Sequence, residues 1–227
     1  ALWLAVQHFH RVVLMLTLPP LLWAGNAVVG RMLVGQVPPL ALSAMRWALA
    51  FLVLLPLGWR ALQRWHEVAA RWRYLVAIGV LGVGTYNSLQ YIALQTSTPI
   101  NVTLILSSLP VWMMAIGWAW HGVRPTRRQG WAAVFSLAGV VLVLSRGDME
   151  VLRSVRLLPG DVIMLVAVAT WAVYSWLLAK PPASMQEEAR PAWNWAEFLL
   201  IKVLFGTVFA SAAAGVEAVV HPGPVVW

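Results

Sequence analysis

The stretch Tyr74–Val123, YLVAIGVLGVGTYNSLQYIALQTSTPINVTLILSSLPVWMMAIGWAWHGV, decides the fold. It contains no Asp, Glu, Lys or Arg, and Arg71, Arg73 and Arg124 stand just outside it. One bilayer crossing takes about 20 apolar residues at about 1.5 Å each, so the run holds two crossings. They divide at the polar stretch Gln95-Thr96-Ser97-Thr98-Pro99, and so short a turn makes the two helices antiparallel neighbours.

The rest of the chain has the same character. Apolar residues make up 61% and charged residues 11%, where soluble domains carry roughly 25% charged residues; the mean hydropathy is +0.76. So few charges cannot cover a water-facing surface. Apolar runs between charged breaks predict about seven spans, at 12–34, 37–58, 74–95, 98–120, 130–146, 159–179 and 196–216. The fold class is therefore an all-α polytopic membrane protein. The first apolar segment is longer than a leader peptide requires and is followed by further spans, so it is read as a span.

Loop charges set the orientation. The ends that share a side with the N-terminus hold Arg11, Arg60, Arg64, Arg71, Arg73, Arg124, Arg127, Arg128, Lys180 and Arg190, ten cations in all. The other side holds only Arg31, Arg146, Arg153 and Arg156, with Asp148 and Glu150 among them. This predicts a multi-pass protein of the cell membrane with a cytoplasmic N-terminus. The net charge of +8 sits at span ends, as a topology signal does, and not along one face as nucleic-acid binding would need. The partners expected are the lipid bilayer and a small-molecule substrate, with no nucleic acid; the oligomeric state is not encoded legibly. With no cysteine and five scattered histidines, no metal site and no cofactor is expected.

A repeat runs through the chain. Leu22-Trp23-Ala24-Gly25-Asn26 in span one and Thr170-Trp171-Ala172-Val173-Tyr174 in span six lie 148 residues apart. Arg46 follows Pro39 by seven residues in span two, and Lys202 follows Trp195 by seven in span seven. A unit of five helices, an odd number, makes the second copy enter the membrane from the opposite side, which is an inverted repeat. The predicted domains are a first repeat over 11–147 and an incomplete second repeat over 158–227, with the chain stopping before helices eight to ten.

These residues carry a family resemblance. Added to them are Leu42, Arg46-Trp47 and Ala50-Phe51 in span two, Tyr91-Ile92-Ala93-Leu94 closing span three, and Leu109-Pro110 in span four. Arg127-Arg128-Gln129-Gly130 and Leu137-Ala138-Gly139-Val140 in span five and Gly160-Asp161 at span six complete the pattern. Together they resemble the drug/metabolite transporter superfamily and, within it, the EamA-like exporters of aromatic and neutral amino acids. The resemblance implies a ten-helix bundle of two inverted five-helix repeats. One departure stands out: such proteins usually have Gly-Glu after span four, where this chain reads Gly122-Val123.

On helical spacing Trp23, Asn26, Ala27 and Gly30 share a face beyond the Pro19-Pro20 kink, and Asn101, Ile105, Ser108 and Trp112 share one in span four. Trp171, Tyr174 and Ser175 share one in span six, and Tyr86, Asn87, Gln90 and Tyr91 follow the close-approach glycines of span three. Aromatic belts and interhelical hydrogen bonds also use such residues, but four stripes together predict a central cavity, because polar groups at membrane depth face protein or water. The expected substrate-binding set is Trp23, Asn26, Tyr86, Asn87, Tyr91, Asn101, Ser108, Trp112, Trp171 and Tyr174. Arg46 and Lys202 are assigned gating or attraction of a substrate carboxylate. The expected function is export of amino acids or related amphipathic metabolites by alternating access, and no enzymatic activity.

Two other classes share some of these features. A lysine in the seventh helix is what a retinal protein uses for its Schiff base, but span three has no carboxylate counterion. An intramembrane enzyme could use Ser107 or Ser108, yet His8, His10, His66, His121 and His221 lie in termini, loops or at a helix end, and there is no G-x-S-x-G or phosphate loop. No carboxylate lies at mid-span, so facilitated export is the simplest mechanism.

Overall fold

Proline marks where three of the long helices begin: Pro39, Pro99 and Pro159 each sit in the first turn, where a missing N–H breaks no hydrogen bond. The computed structural model describes residues 2–145, 147, 148, 150, 153 and 158–220, with side chains from residue 12 onward and without those of 143 and 144. Arg146, Arg156 and His221, used above for topology and site reading, lie outside the described residues, as do the side chains of His8, His10 and Arg11.

The helices are α1 (Leu2–Met32), α2 (Pro39–Gly58), α3 (Trp72–Thr96), α4 (Pro99–His121), α5 (Arg127–Ser145), α6 (Pro159–Ala179) and α7 (Trp195–Val220). Two short helical turns, Arg60–Gln63 and Trp65–Ala69, join α2 to α3. Among the described residues, α1 from Val12 onward, α2, α3, α4, α6 and α7 are long and apolar enough to cross a membrane. These are six of the seven expected spans; the remaining one, 130–146, is helical over Arg127–Ser145, and part of it lies outside the described residues.

α2 runs antiparallel to α7, with Gly58 at one end of the seam against Ala196 and Leu200. At the other end Glu217 accepts hydrogen bonds from the backbone N–H groups of Leu40 and Ala41, both at 3.0 Å. The carboxylate supplies the cap that Pro38, without a polar side chain, cannot give to α2. α3 and α7 run parallel and meet at Gly79 and Gly206. A Cβ on Gly79 would sit 2.7 Å from the carbonyl oxygen of Lys202, and one on Gly206 would sit 2.7 Å from that of Gly79. Of the small residues Gly206, Ala210 and Ala214, the first two are buried within the bundle.

α6 lies against α3 and α4. Its first-turn Asp161, 1% exposed, accepts from the Ser97 hydroxyl, from Asn101 Nδ2 at 2.8 Å and from the Leu158 N–H at 2.7 Å. At the arginine-rich end, Glu197 accepts from Arg64 at 2.8 Å and from the Asn194 N–H at 2.7 Å. Arg71 donates to the carbonyls of Ser184 at 2.8 Å, Ala189 at 2.7 Å and Glu67 at 3.1 Å, tying the α6–α7 connection to the α2–α3 linker. Two buried clusters result, one around Tyr91, Leu94 and Met164, the other around Leu75, Ile78 and Ile201.

Candidate functional site

Backbone irregularity in the middle of the bundle positions the site. α3 is α-helical over Trp72–Gly79, widens to a π-helix over Val80–Thr85, and resumes as α over Tyr86–Thr96. π-turns of this kind shift helical phase and are common at functional sites. Here the wide turn presents Gly82 and, beyond it, Tyr86, Asn87 and Gln90 to one cavity. α4 breaks between Leu106 and Leu109, where Pro110 removes an N–H and the Ser107 and Ser108 hydroxyls turn back onto the carbonyls of Leu104 and Ile105, each at 2.6 Å.

The cavity measures about 440 Å³ and is walled by five helices. α1 contributes Trp23, Asn26 and Ala27; α2 contributes Arg46 and Trp47; α4 contributes Val102, Thr103 and Leu106; α6 contributes Trp171. The aromatic side is continuous. Trp23 meets Trp171 edge to face at 5.8 Å between ring centroids, and Tyr86 and Tyr174 flank Trp171 at 4.7 and 5.0 Å. Trp23 is 58% exposed, so the α1 wall is the thin side of the cavity.

A hydrogen-bonded relay lies behind the polar side. Arg46 Nη1 donates to the hydroxyl of Tyr91, which donates in turn to Asn26 Oδ1 at 2.6 Å. The Arg46 guanidinium carbon also stands 5.5 Å from the Tyr91 ring centroid and 5.6 Å from that of Trp47. A matching pair lies toward the arginine-rich end: Lys202 Nζ donates to the Tyr174 hydroxyl at 2.9 Å, between the rings of Tyr174 and Phe198. Tyr174 packs directly against Gly82, where any Cβ would enter its ring, so this pair forms the floor under the cavity.

Of the residues expected to bind substrate, Trp23, Asn26, Tyr86, Asn87 and Trp171 line the cavity, as does Arg46. Tyr91, 2% exposed, stands behind the wall and holds Arg46 and Asn26. Tyr174 and Lys202 lie in the floor. Asn101 is turned away, bonded to Asp161. Ser108 spends its hydroxyl on Ile105, and Trp112 packs on the cluster around Tyr91, because the break in α4 ends the stripe that spacing alone would continue. Gln90, Trp47 and Thr103 line the cavity and were outside the expected set. Gln90 stood in the same sequence stripe as Tyr86 and Asn87, and Trp47 followed Arg46, so both carried a signal; Thr103 carried none.

Comparison with known proteins agrees with this geometry. Over 211 residues the chain is 28% identical to an uncharacterized transporter of Archaeoglobus fulgidus, covering 92% of this chain and 68% of that protein. It is 25% identical over 99 residues to the uncharacterized transporter YyaM of Bacillus subtilis, covering 44% of this chain and 32% of that one. No solved structure matches. The sequence model of the EamA-like transporter family matches residues 10–145, which contain four of the cavity's five walls. A bundle of apolar helices around an aromatic, amide-lined cavity is what a carrier of small molecules needs, and the chain belongs to the EamA-like transporter family, within the drug/metabolite transporter superfamily.

Proposed function

We propose that the protein exports amino acids or related small amphipathic metabolites across the cell membrane through this cavity by alternating access, with its N-terminus cytoplasmic. The observation that carries the reading is the cavity itself: about 440 Å³ at membrane depth, with indole and phenol rings on one side and Asn26, Asn87 and Gln90 on the other. Polar side chains at that depth are expensive unless they face protein, water or a solute. An apolar pocket with a few convergent polar groups suits a small amphipathic molecule.

The two cation–tyrosine pairs support an inverted repeat over 11–147 and 158–227. Arg46 and Lys202 each stand seven residues into their helix and each bonds a tyrosine of a neighbouring helix. In the proposed topology Arg46–Tyr91 lies in the outer half and Tyr174–Lys202 in the inner half. Rocking one repeat against the other opens one end while the other closes, and Tyr174 with Lys202 is the inner closure.

The test is counterflow of labelled Trp, Met and Thr in proteoliposomes, beside Trp23→Ala and Trp171→Ala. Exchange of at least one of the three, lost in both correctly folded variants, is the expected result. Exchange of none would remove amino acids as the substrate class, and full exchange in both variants would remove the aromatic cavity as the route.

A further inference from the structure

The polar side of the cavity contains three groups whose hydrogen-bonding capacity is unused. Arg46 makes one hydrogen bond, from Nη1 to Tyr91. Its Nε and Nη2 have no partner among the described residues, where the ion pairs are those of Arg64 with Glu67 and Glu197. The Trp47 indole N–H is buried without an acceptor. Gln90 is 5% exposed, and its amide has no partner among the described residues. All three line the same cavity, and no Asp or Glu lines it with them.

A half-buried guanidinium without a counter-ion at membrane depth is costly. A donor fork with one free edge, Nε beside Nη2, fits one chemical group best, a carboxylate held in bidentate fashion. The indole N–H and the Gln90 amide add further donors beside it. The geometry points to an anion subsite formed by Arg46, Trp47 and Gln90 that takes the carboxylate of a monoanionic solute, whose flat aromatic body lies against Trp23, Tyr86 and Trp171.

This rests on the cavity being the substrate site and adds its charge selectivity. Because the lining offers no carboxylate, an ammonium group on the same body gains only ring faces and amide oxygens. The order of affinity is aromatic carboxylate, then the zwitterionic amino acid, then the neutral amide, then the amine.

The test uses four ligands of one size: 3-phenylpropionate, phenylalanine, 3-phenylpropanamide and 2-phenylethylamine. Binding is read by intrinsic tryptophan fluorescence of the protein in nanodiscs, and competition by counterflow in proteoliposomes. A charge-assisted contact set predicts that the carboxylate binds about tenfold or more tightly than its amide. Arg46→Gln brings the two together. Trp47→Phe, which keeps the ring and removes the donor, narrows the ratio by about two- to tenfold and decides the matter if Arg46→Gln does not fold. Equal binding of carboxylate and amide in the wild type, or an undiminished ratio in both folded variants, would overturn the subsite. A charge order in binding without any counterflow leaves the subsite standing and removes transport of these solutes. Counterflow of amino acids without a charge order does the reverse.

Discussion

Replacing Asp161 by alanine should unfold the frame of the cavity without touching its lining. The carboxylate is 1% exposed and joins three elements: the end of α3 through Ser97, the start of α4 through Asn101, and its own helix through the Leu158 N–H. Removing it leaves the buried Ser97 hydroxyl and the half-buried Leu158 N–H without this acceptor and deprives Asn101 of one bond, at about 1–3 kcal/mol for each donor so stranded. Loss of a negative charge at a helix N-terminus adds about 0.3–1 kcal/mol. The sum is about 2–7 kcal/mol, and at about 2–4 °C per kcal/mol for a chain of this size the midpoint falls by about 4–28 °C. Asp161→Asn retains one acceptor oxygen and should lose about half as much. Thermal unfolding in nanodiscs, followed by tryptophan fluorescence, ranks the three proteins. An alanine variant within about 2 °C of wild type, or an asparagine variant less stable than the alanine one, would refute this account.

Gly82→Ala places a methyl group against the Tyr174 ring and should displace the floor of the cavity, lowering the counterflow rate several-fold while the helix content by circular dichroism stays constant. Unaltered counterflow would show that Tyr174 does not close the pathway. Arg71→Lys keeps the charge but loses the fork that reaches the Ser184 and Ala189 carbonyls; limited proteolysis should then cut within 180–194 faster than in wild type.

The sequence specifies where helices lie better than it specifies what they face. Charge-free runs between arginines place six spans within a few residues of their observed limits, because bilayer thickness leaves little freedom in length. Trp23, Asn26, Tyr86, Asn87 and Trp171 also come together from simple helical spacing. Spacing fails where the helix is not regular. The break at Ser107 and Ser108 takes Trp112 out of phase with the cavity, and the π-turn at Val80–Thr85 sets which of Tyr86, Gln90 and Tyr91 reach it. It fails also where the partner is distant in sequence. Asn101 reads as a cavity amide until Asp161, sixty residues on, claims it. Glu217, which reads as a charge at a span end, caps α2 from 177 residues away.

That last contact bears on how the protein is made. α2 emerges from the ribosome with its first-turn N–H groups uncapped and with the groove later filled by α7 empty. At about 5–20 residues per second, roughly 10–35 s pass before Glu217 is synthesised. Through that interval α2 is held by earlier helices alone, by Arg46 to Tyr91 and by Ser88 to Ser43, and its own N-terminal turn stays uncapped until α7 lies beside it.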